Sequence, residues 1–283
     1  MITGAGGMTG AELVRQARRK GWKCEAYTRS DLDIADPFAV EAAIESARPE
    51  IVFNAAAFTA VDLAESEKEP AMLVNATGAG NVARAATTIG ATVVHISTDY
   101  VFDGRASRPY LPTDPANPVN TYGKTKLAGE KAVQAESGNH LIVRTSWVYS
   151  HEGRNFVKAM LRAADEKREL RIVIDQQGSP TSAPDLSAAL ITAAEAVRDT
   201  PSLSGTYHFS NSGITNWYEF AKAIFEIRGG EPPRMRSITT AEYPTAARRP
   251  AWSVLDTTSF ERAFGITPRS WREALTDTMR RLG

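Results

Sequence analysis

The sequence predicts an α/β fold, a doubly wound parallel sheet with a smaller mixed α/β lobe, and three observations predict it. Short apolar runs alternate with longer amphipathic stretches, strand then helix repeated, the pattern of a parallel sheet covered on both faces. The runs "IVF" and "TVVHI" are apolar without alternation, as central strands buried on both sides require. The length, 283 residues, exceeds one minimal domain and suits a large α/β domain with a satellite. Right-handed crossovers leave the doubly wound arrangement as the economical topology.

The elements follow in order. A strand stub, "MIT", runs into glycines and an amphipathic helix. Then come the strand "CEAYT", a helix over 37–48, the strand "EIVFNAAA", a helix over 67–89, the strand "ATVVHIST", a helix over 121–136 and the strand "HLIVRTSWVY". The character changes near residue 150. Helix-like "NFVKAMLRAADEKREL" leads to "RIVID", a Pro/Gly/Ser loop "QQGSPTSAP", the helix "DLSAALITAAEAV" and the strand "GTYHFSN". The tail, 216–283, carries helices separated by proline-rich loops such as "EYPTAARRPAW". Residues 1–150 therefore read as the sheet domain, with 171–210 returning to it, and 151–283 mainly as the second lobe. No repeat, low-complexity segment or long linker interrupts the chain.

Composition narrows the function. Lys plus Arg equals Asp plus Glu at 33 each, so no global field draws the chain to nucleic acid or an anionic membrane, and an anionic ligand must be met locally. A single cysteine, Cys24, excludes an intrachain disulfide framework and fits a reducing compartment, with the cytoplasm as the default. No stretch approaches the ~20 apolar residues of a membrane span, and the N-terminus has no basic and apolar leader. Only three residues precede the first glycine, which reads as a first strand missing part of its length. The histidines show no metal-ligand spacing, so no metal site is expected.

The glycine turn comes first among the motifs. In "MITGAGGMTGAELVRQARRKG", Gly4, Gly7 and Gly10 recur every third residue between strand and helix. Such a turn lets a phosphate approach the backbone, with the free amides and positive dipole end of the helix behind it. The pattern G-x-x-G-x-x-G differs from the G-x-G-x-x-G of many dehydrogenases, and a glycine turn without a ligand is the plainer alternative. Thr28 and Arg29 stand where an acidic residue would hold a ribose. A guanidinium there favours a 2′-phosphate, hence NADPH over NADH, although Asp31 or Asp33 could reverse the choice and Arg29 could be a solvated loop charge. Ala55, Ala56 and Ala57 at the end of the third strand would admit a flat cofactor, or simply pack a helix.

"NTYGKTKLAGE" places Tyr122 four residues before Lys126 on one helix face; Lys124, two positions away, points elsewhere. The spacing guarantees neighbours without guaranteeing chemistry. The strand before it ends in "HISTDYVFDG", a cluster of hydroxyls and an acid at the sheet edge where ligands of open α/β sheets bind. A nearby ammonium would draw a tyrosine's pKa down from about 10. Thr98 would polarise a carbonyl while Tyr122 gives its oxygen a proton. His95 reads as a core histidine, and Trp217 and Trp252 as packing residues.

Together these features resemble the extended branch of the short-chain dehydrogenase/reductase superfamily, which acts on nucleotide sugars. The phrases "NAAAFTAVDLAESE", "LVNATG", "STDYVFDG", "NTYGKTKLAGEKAV", "RTSWVY", "NFVKAML", "DQQGSPT" and "YPTAARRPAWSVLD" are similar, in order and over nearly the whole chain, to successive signatures of dTDP-4-dehydrorhamnose reductases. The resemblance implies a Rossmann-type domain with a substrate-binding lobe, and reduction of the C4 ketone of dTDP-4-dehydro-β-L-rhamnose by NADPH or NADH in the cytoplasm. It implies Thr98, Tyr122 and Lys126 as the catalytic trio, with Lys126 also on the nicotinamide ribose. It places Gly7, Met8 and Thr9 at the pyrophosphate, Asp33 and Ile34 at the adenine, and Ala57, Phe58, Thr59 and Asn75 along the cofactor. Asp99, Tyr100 and Trp147 fall at the sugar nucleotide, and Arg248 and Arg249 at its phosphates. Trp147 read alone is more often a packing residue.

There are departures. Some relatives form a dimer whose glutamates hold Mg2+, whereas here Pro184 and Asp185 stand in the matching loop, the chain ends at Gly283, and Glu12 alone remains as a possible ligand. The metal is not expected, and the state is a monomer or a homodimer. Two alternatives stay open: another nucleotide-sugar reductase or epimerase, and a non-enzymatic subunit resembling the regulatory subunit of methionine adenosyltransferase. The intact Thr98, Tyr122, Lys126 and Asp99 argue against the last.

Overall fold

A computed structural model describes residues 1–166 and 169–282. Lys167 and Arg168, within the helix expected over 155–170, and the terminal Gly283 lie outside the described residues. The chain begins β1 (Ile2–Thr3), α1 (Met8–Arg19), β2 (Ala26–Tyr27), α2 (Pro37–Ala47), β3 (Ile51–Asn54). A helical region follows, α3 (Lys68–Met72), a π-helical turn over Leu73–Gly78 and α4 (Ala79–Thr88), then β4 (Thr92–Thr98), α5 (Thr121–Glu136) and β5 (His140–Thr145). Six strands form one sheet in the order β10-β5-β4-β3-β1-β2, where β10 is Gly205–His208, and every pairing is parallel. The order reverses at β1, so β2 and β3 flank it and leave the crevice in which such sheets bind ligands.

Both faces are covered, which explains the unbroken apolar runs. On one face Leu13 and Ala17 of α1 meet Phe53, Val94, Leu141 and Val143, together with Leu186 and Leu190 of α7 (Ala183–Asp199). On the other, Val40 and Ile44 of α2, Val82 of α4 and Val133 of α5 cover Val52, Val93 and Ile142. Each fully buried aliphatic side chain of this kind contributes about 1.5–3 kcal/mol.

Helix starts set the site's geometry. Asp36 caps α2 by accepting from the Phe38 and Ala39 amides, with Pro37 preset for the first turn. Asn120 caps α5 by accepting from the Gly123 amide at 2.8 Å, which fixes Tyr122 in the first turn. Gly123 has no alternative: a Cβ there would stand 2.1 Å from the Tyr100 carbonyl oxygen. The π turn adds a residue to the helix and directs Asn75 into the protein, where it meets the backbone after β3.

The remaining elements are β6 (Val148–Tyr149), α6 (Phe156–Asp165), β7 (Leu170–Val173), β8 (Gln177–Gly178), β9 (Thr181–Ser182), β11 (Thr215–Asn216), α8 (Trp217–Arg228), β12 (Met235–Ile238), α9 (Thr258–Phe264) and α10 (Trp271–Arg280). Tyr149, Val157, Phe220, Ile224, Trp271 and Leu275 give the second lobe its own core. Of the segment expected to return to the sheet, α7 and β10 do so, but Leu170–Val173 pairs instead with Met235–Ile238. Its burial explains the difference: Leu170 and Ile172 are buried and Arg171 is exposed, so this strand has a solvent face that a central strand lacks. Among the described residues no helix is long and apolar enough to cross a membrane.

Candidate active site

The site forms where β4 ends. Thr98 turns the chain: its hydroxyl accepts from the Tyr100 amide at 3.2 Å and donates to Asp99 Oδ1 at 3.0 Å. Asp99 is 2% exposed, and its Oδ2 has no hydrogen-bond partner within the described chain. Burial pushes its carboxyl up to about 7, against the opposing hydroxyls of Ser253 and Thr98. At neutral pH the group therefore sits between acid and carboxylate.

Tyr122 packs edge-on against Tyr100 with ring centroids 5.9 Å apart. Burial, and then the Asp99 charge, push its phenol up to about 12, with Thr98 pulling the other way. Here the structure corrects the expectation that Lys126 draws this pKa down. Lys126 donates to the Ile96 carbonyl at 2.7 Å and lies 3.3 Å from His95 Nε2. Burial brings the Lys126 ammonium down to about 8, with Glu130 opposing. Tyr122 is thus held as a protonated phenol, the form a proton donor needs.

The glycine turn has the shape of a phosphate cradle. Gly4 has φ +67°, and a Cβ on it would stand 2.5 Å from the Ala55–Ala56 backbone; one on Gly10 would stand 2.1 Å from the Gly4 carbonyl oxygen. Gly7 begins α1 with no side chain capping the amides and no acidic residue in the first turn, so Met8 and Thr9 start a helix whose positive end is free for an anion. Arg29 is exposed beside this crevice, while Asp31 is engaged by Thr28, accepting from its amide at 2.8 Å and its hydroxyl at 2.6 Å. Asp33 is exposed and turns its carboxylate onto the Ala35 amide, and Ile34 is buried against Gly78. Asn75 is 1% exposed and bonds the Phe58 amide, the Phe58 carbonyl and the Thr125 hydroxyl, which holds Ala57, Phe58 and Thr59 in place against α5. These features fit a dinucleotide.

Trp147 follows β5, the strand beside Thr98, in a left-handed backbone conformation with φ +48°. Its indole stacks on Trp217, centroids 3.7 Å apart and planes within 9°. Both packing readings therefore meet in one contact across the lobes. Arg249 reaches Asp62 at 2.8 Å and sits 6.0 Å from the Tyr100 ring, whereas the Arg248 side chain is exposed and only its carbonyl is tied, to Asn120. The structure thus brings together Thr98, Asp99, Tyr100, Tyr122 and Arg249, and leaves Arg248 outside that cluster.

Sequence reasoning missed four residues. Ser253 lies against Asp99, and Asp62 holds both Arg249 and the Ala247 amide. Glu130 accepts from Ser97 and from Arg144. His95 is buried but touches Lys126. Position i+4 from Lys126 was the one available signal for Glu130. Glu12 is buried beside Arg15 and Gln16, and Asp185 pairs with Arg269. Among the described residues no three His, Cys, Asp or Glu side chains gather as a metal site would need.

The chain matches the family model described as RmlD substrate binding domain over residues 1–283. It is 48% identical over 97% of its length, and 94% of the relative's, to the spore coat polysaccharide biosynthesis protein SpsK of Bacillus subtilis. It is 45% identical, over 96% of its length and 94% of the relative's, to the dTDP-4-dehydrorhamnose reductase of Sinorhizobium fredii. Its fold is similar to the crystal structure of dTDP-4-dehydrorhamnose reductase from Bacillus anthracis in complex with NADP, with a TM-score of 0.94, 37% identity, and 99% and 98% of the two chains covered.

Proposed function

The chain belongs to the RmlD substrate-binding-domain family, and on that premise we propose that it reduces the C4 ketone of dTDP-4-dehydro-β-L-rhamnose to dTDP-β-L-rhamnose with NADPH or NADH. The observation that carries the reading is the meeting of buried Thr98 and Asp99, at the carboxyl end of β4, with the half-buried Tyr122 of α5, beside a glycine cradle fit for a dinucleotide.

The amides opening α1 and the turn Gly4–Gly10 would hold the pyrophosphate, Arg29 the 2′-phosphate, and the 57–59 segment the nicotinamide half. Bound there, the cofactor supplies hydride to the ketone carbon. Thr98 orients the ketone oxygen, and Tyr122, kept protonated by burial, gives that oxygen its proton. Lys126, anchored on the Ile96 carbonyl, takes the nicotinamide ribose. Asp99 and Tyr100 line the sugar pocket, and Arg249, poised between Asp62 and Tyr100, meets the nucleotide phosphates. A cytoplasmic location accords with the lone free Cys24.

The test is direct. Purified protein mixed with enzymatically prepared dTDP-4-dehydrorhamnose should oxidise NADPH, followed by its absorbance, with dTDP-rhamnose as product. NADPH binding without turnover on this sugar would overturn the assignment.

A further inference from the structure

His95 lies in a row of polar side chains that crosses the sheet beneath the site. The register pairs Thr3 with Asn54 and Asn54 with His95, so three adjacent strands present these side chains side by side. Thr3 Oγ1 donates to Asn54 Oδ1 at 2.8 Å, Asn54 Nδ2 lies 3.2 Å from His95 Nδ1, and His95 Nε2 lies 3.3 Å from Lys126 Nζ. None of the four residues is more than 2% exposed. Every donor and acceptor in the row must therefore find its partner inside the protein.

The row can run in two directions, and a lysine ammonium, which cannot accept, allows only one of them. A neutral imidazole has one N–H and one bare nitrogen. When Lys126 is an ammonium it donates to a bare Nε2, the imidazole proton sits on Nδ1, and Asn54 must turn its oxygen toward it and its NH2 toward Thr3. A neutral amine has a lone pair and so opens the second direction: it accepts from Nε2–H, Nδ1 is bare and accepts from the Asn54 NH2, and Asn54 Oδ1 accepts from Thr3, as at 2.8 Å here. The two arrangements differ by one proton in total, on Lys126. The Asn54 amide carries no proton across; it turns over. Thr3 closes either arrangement because a hydroxyl both donates and accepts.

Resting on the reductase reading for its catalytic consequence, we propose that His95 is a positioning residue for Lys126, and that the row Thr3–Asn54–His95 reverses its hydrogen-bond direction as a unit when Lys126 gains or loses its proton. The ammonium is thereby given a buried acceptor in addition to the Ile96 carbonyl. The row also joins Lys126 to Thr3, the residue immediately before the glycine turn, so both ends of the cofactor crevice share one network.

The other charged groups around the row are few. Glu130 acts on Lys126 from the same helix and is itself held by Arg144 of β5. Burial, then the Lys126 charge, keep His95 neutral by lowering its pKa. Arg84, the single ionisable residue of α4, bonds Asn81 and faces Glu41. Asp99 follows β4, and Tyr122 shares α5 with Lys126.

The test uses wild-type protein labelled with 15N-histidine, with His95 assigned by comparison with His95→Gln. On raising the pH, its nitrogen shifts should pass from the Nδ1–H to the Nε2–H tautomer without an imidazolium stage. The switch should be absent in Lys126→Met. One tautomer at every pH, or an unchanged switch in Lys126→Met, overturns the proposal. In turnover, the activity lost as Lys126 deprotonates should be lost about one pH unit lower or more in His95→Leu, since a buried cation loses an acceptor. His95→Gln, whose amide oxygen can replace Nε2, should restore it. An alkaline limb that is the same in His95→Leu as in wild type also overturns the proposal. Failure of the wild-type protein to reduce dTDP-4-dehydrorhamnose would remove the reductase reading and leave the tautomer measurement to judge the row.

Discussion

Arg144→Met should destabilise the protein far more than loss of a surface charge. Arg144 donates to both oxygens of Glu130, at 2.9 and 2.7 Å, and the two side chains are 7% and 2% exposed. Its guanidinium lies 5.1 Å from the Phe102 ring, a contact whose apolar share methionine's unbranched chain retains. The variant leaves the buried carboxylate with the Ser97 hydroxyl as its hydrogen-bond donor among the described side chains. Breaking one side of such a pair costs about 3–5 kcal/mol. A stranded carboxylate can escape by taking a proton, which for an ordinary glutamate costs about 4 kcal/mol at pH 7 and about 1 kcal/mol at pH 5. The destabilisation should therefore be close to ~4 kcal/mol at pH 7 and shrink markedly at pH 5. Urea unfolding followed by circular dichroism, at constant m, measures both values. The double variant with Glu130→Gln should be more stable than the sum of the single losses allows. A loss below about 1 kcal/mol at pH 7, a loss independent of pH, or strict additivity would refute the reasoning.

Four further outcomes are expected. Tyr122→Phe should lower kcat by about 100-fold or more with NADPH affinity close to wild type, as measured by steady-state rates and fluorescence titration. Gly10→Ala should abolish NADPH binding in the same titration, because its methyl would stand 2.1 Å from the Gly4 carbonyl oxygen. Arg29→Ala should weaken NADPH by about tenfold while leaving NADH unchanged, since one charge-assisted contact of about 1.4 kcal/mol is removed from one cofactor only. Asp99 binds its proton more tightly folded, at about 7, than unfolded, at 3.8, so its contribution to stability is present below pH 4 and is lost as pH rises to 7, by roughly 4 kcal/mol at most; unfolding free energies across that range should lose this slope in Asp99→Asn.

The parts legible in the sequence are those governed by local pattern. Uninterrupted apolar runs announce strands covered on both faces, and β3, β4 and β5 are buried along nearly their whole length. The i,i+4 spacing of Tyr122 and Lys126 is local too. What escaped is set by which strand lies beside which. Nothing near His95 in the chain announces Asn54 or Lys126, which are 41 and 31 residues away and meet it only through sheet register and helix docking. Asp62 and Arg249, 187 residues apart, are likewise joined only by the second lobe's return. The direction of the Tyr122 shift escaped for another reason: spacing shows that a lysine is near, while the carbonyl of Ile96 decides where its nitrogen points.

The stacked indoles have a consequence for measurement. Trp147 stands between β5 and β6 and Trp217 opens α8, so the stack joins the chain leaving the sheet to the core around Tyr149 and Phe220. Two parallel indoles in contact share their excited states, and the resulting paired bands in circular dichroism vanish once the rings separate or rotate. The stack is therefore an intrinsic optical reporter of how these two rings sit, readable without a label as sugar nucleotide and cofactor are added in either order.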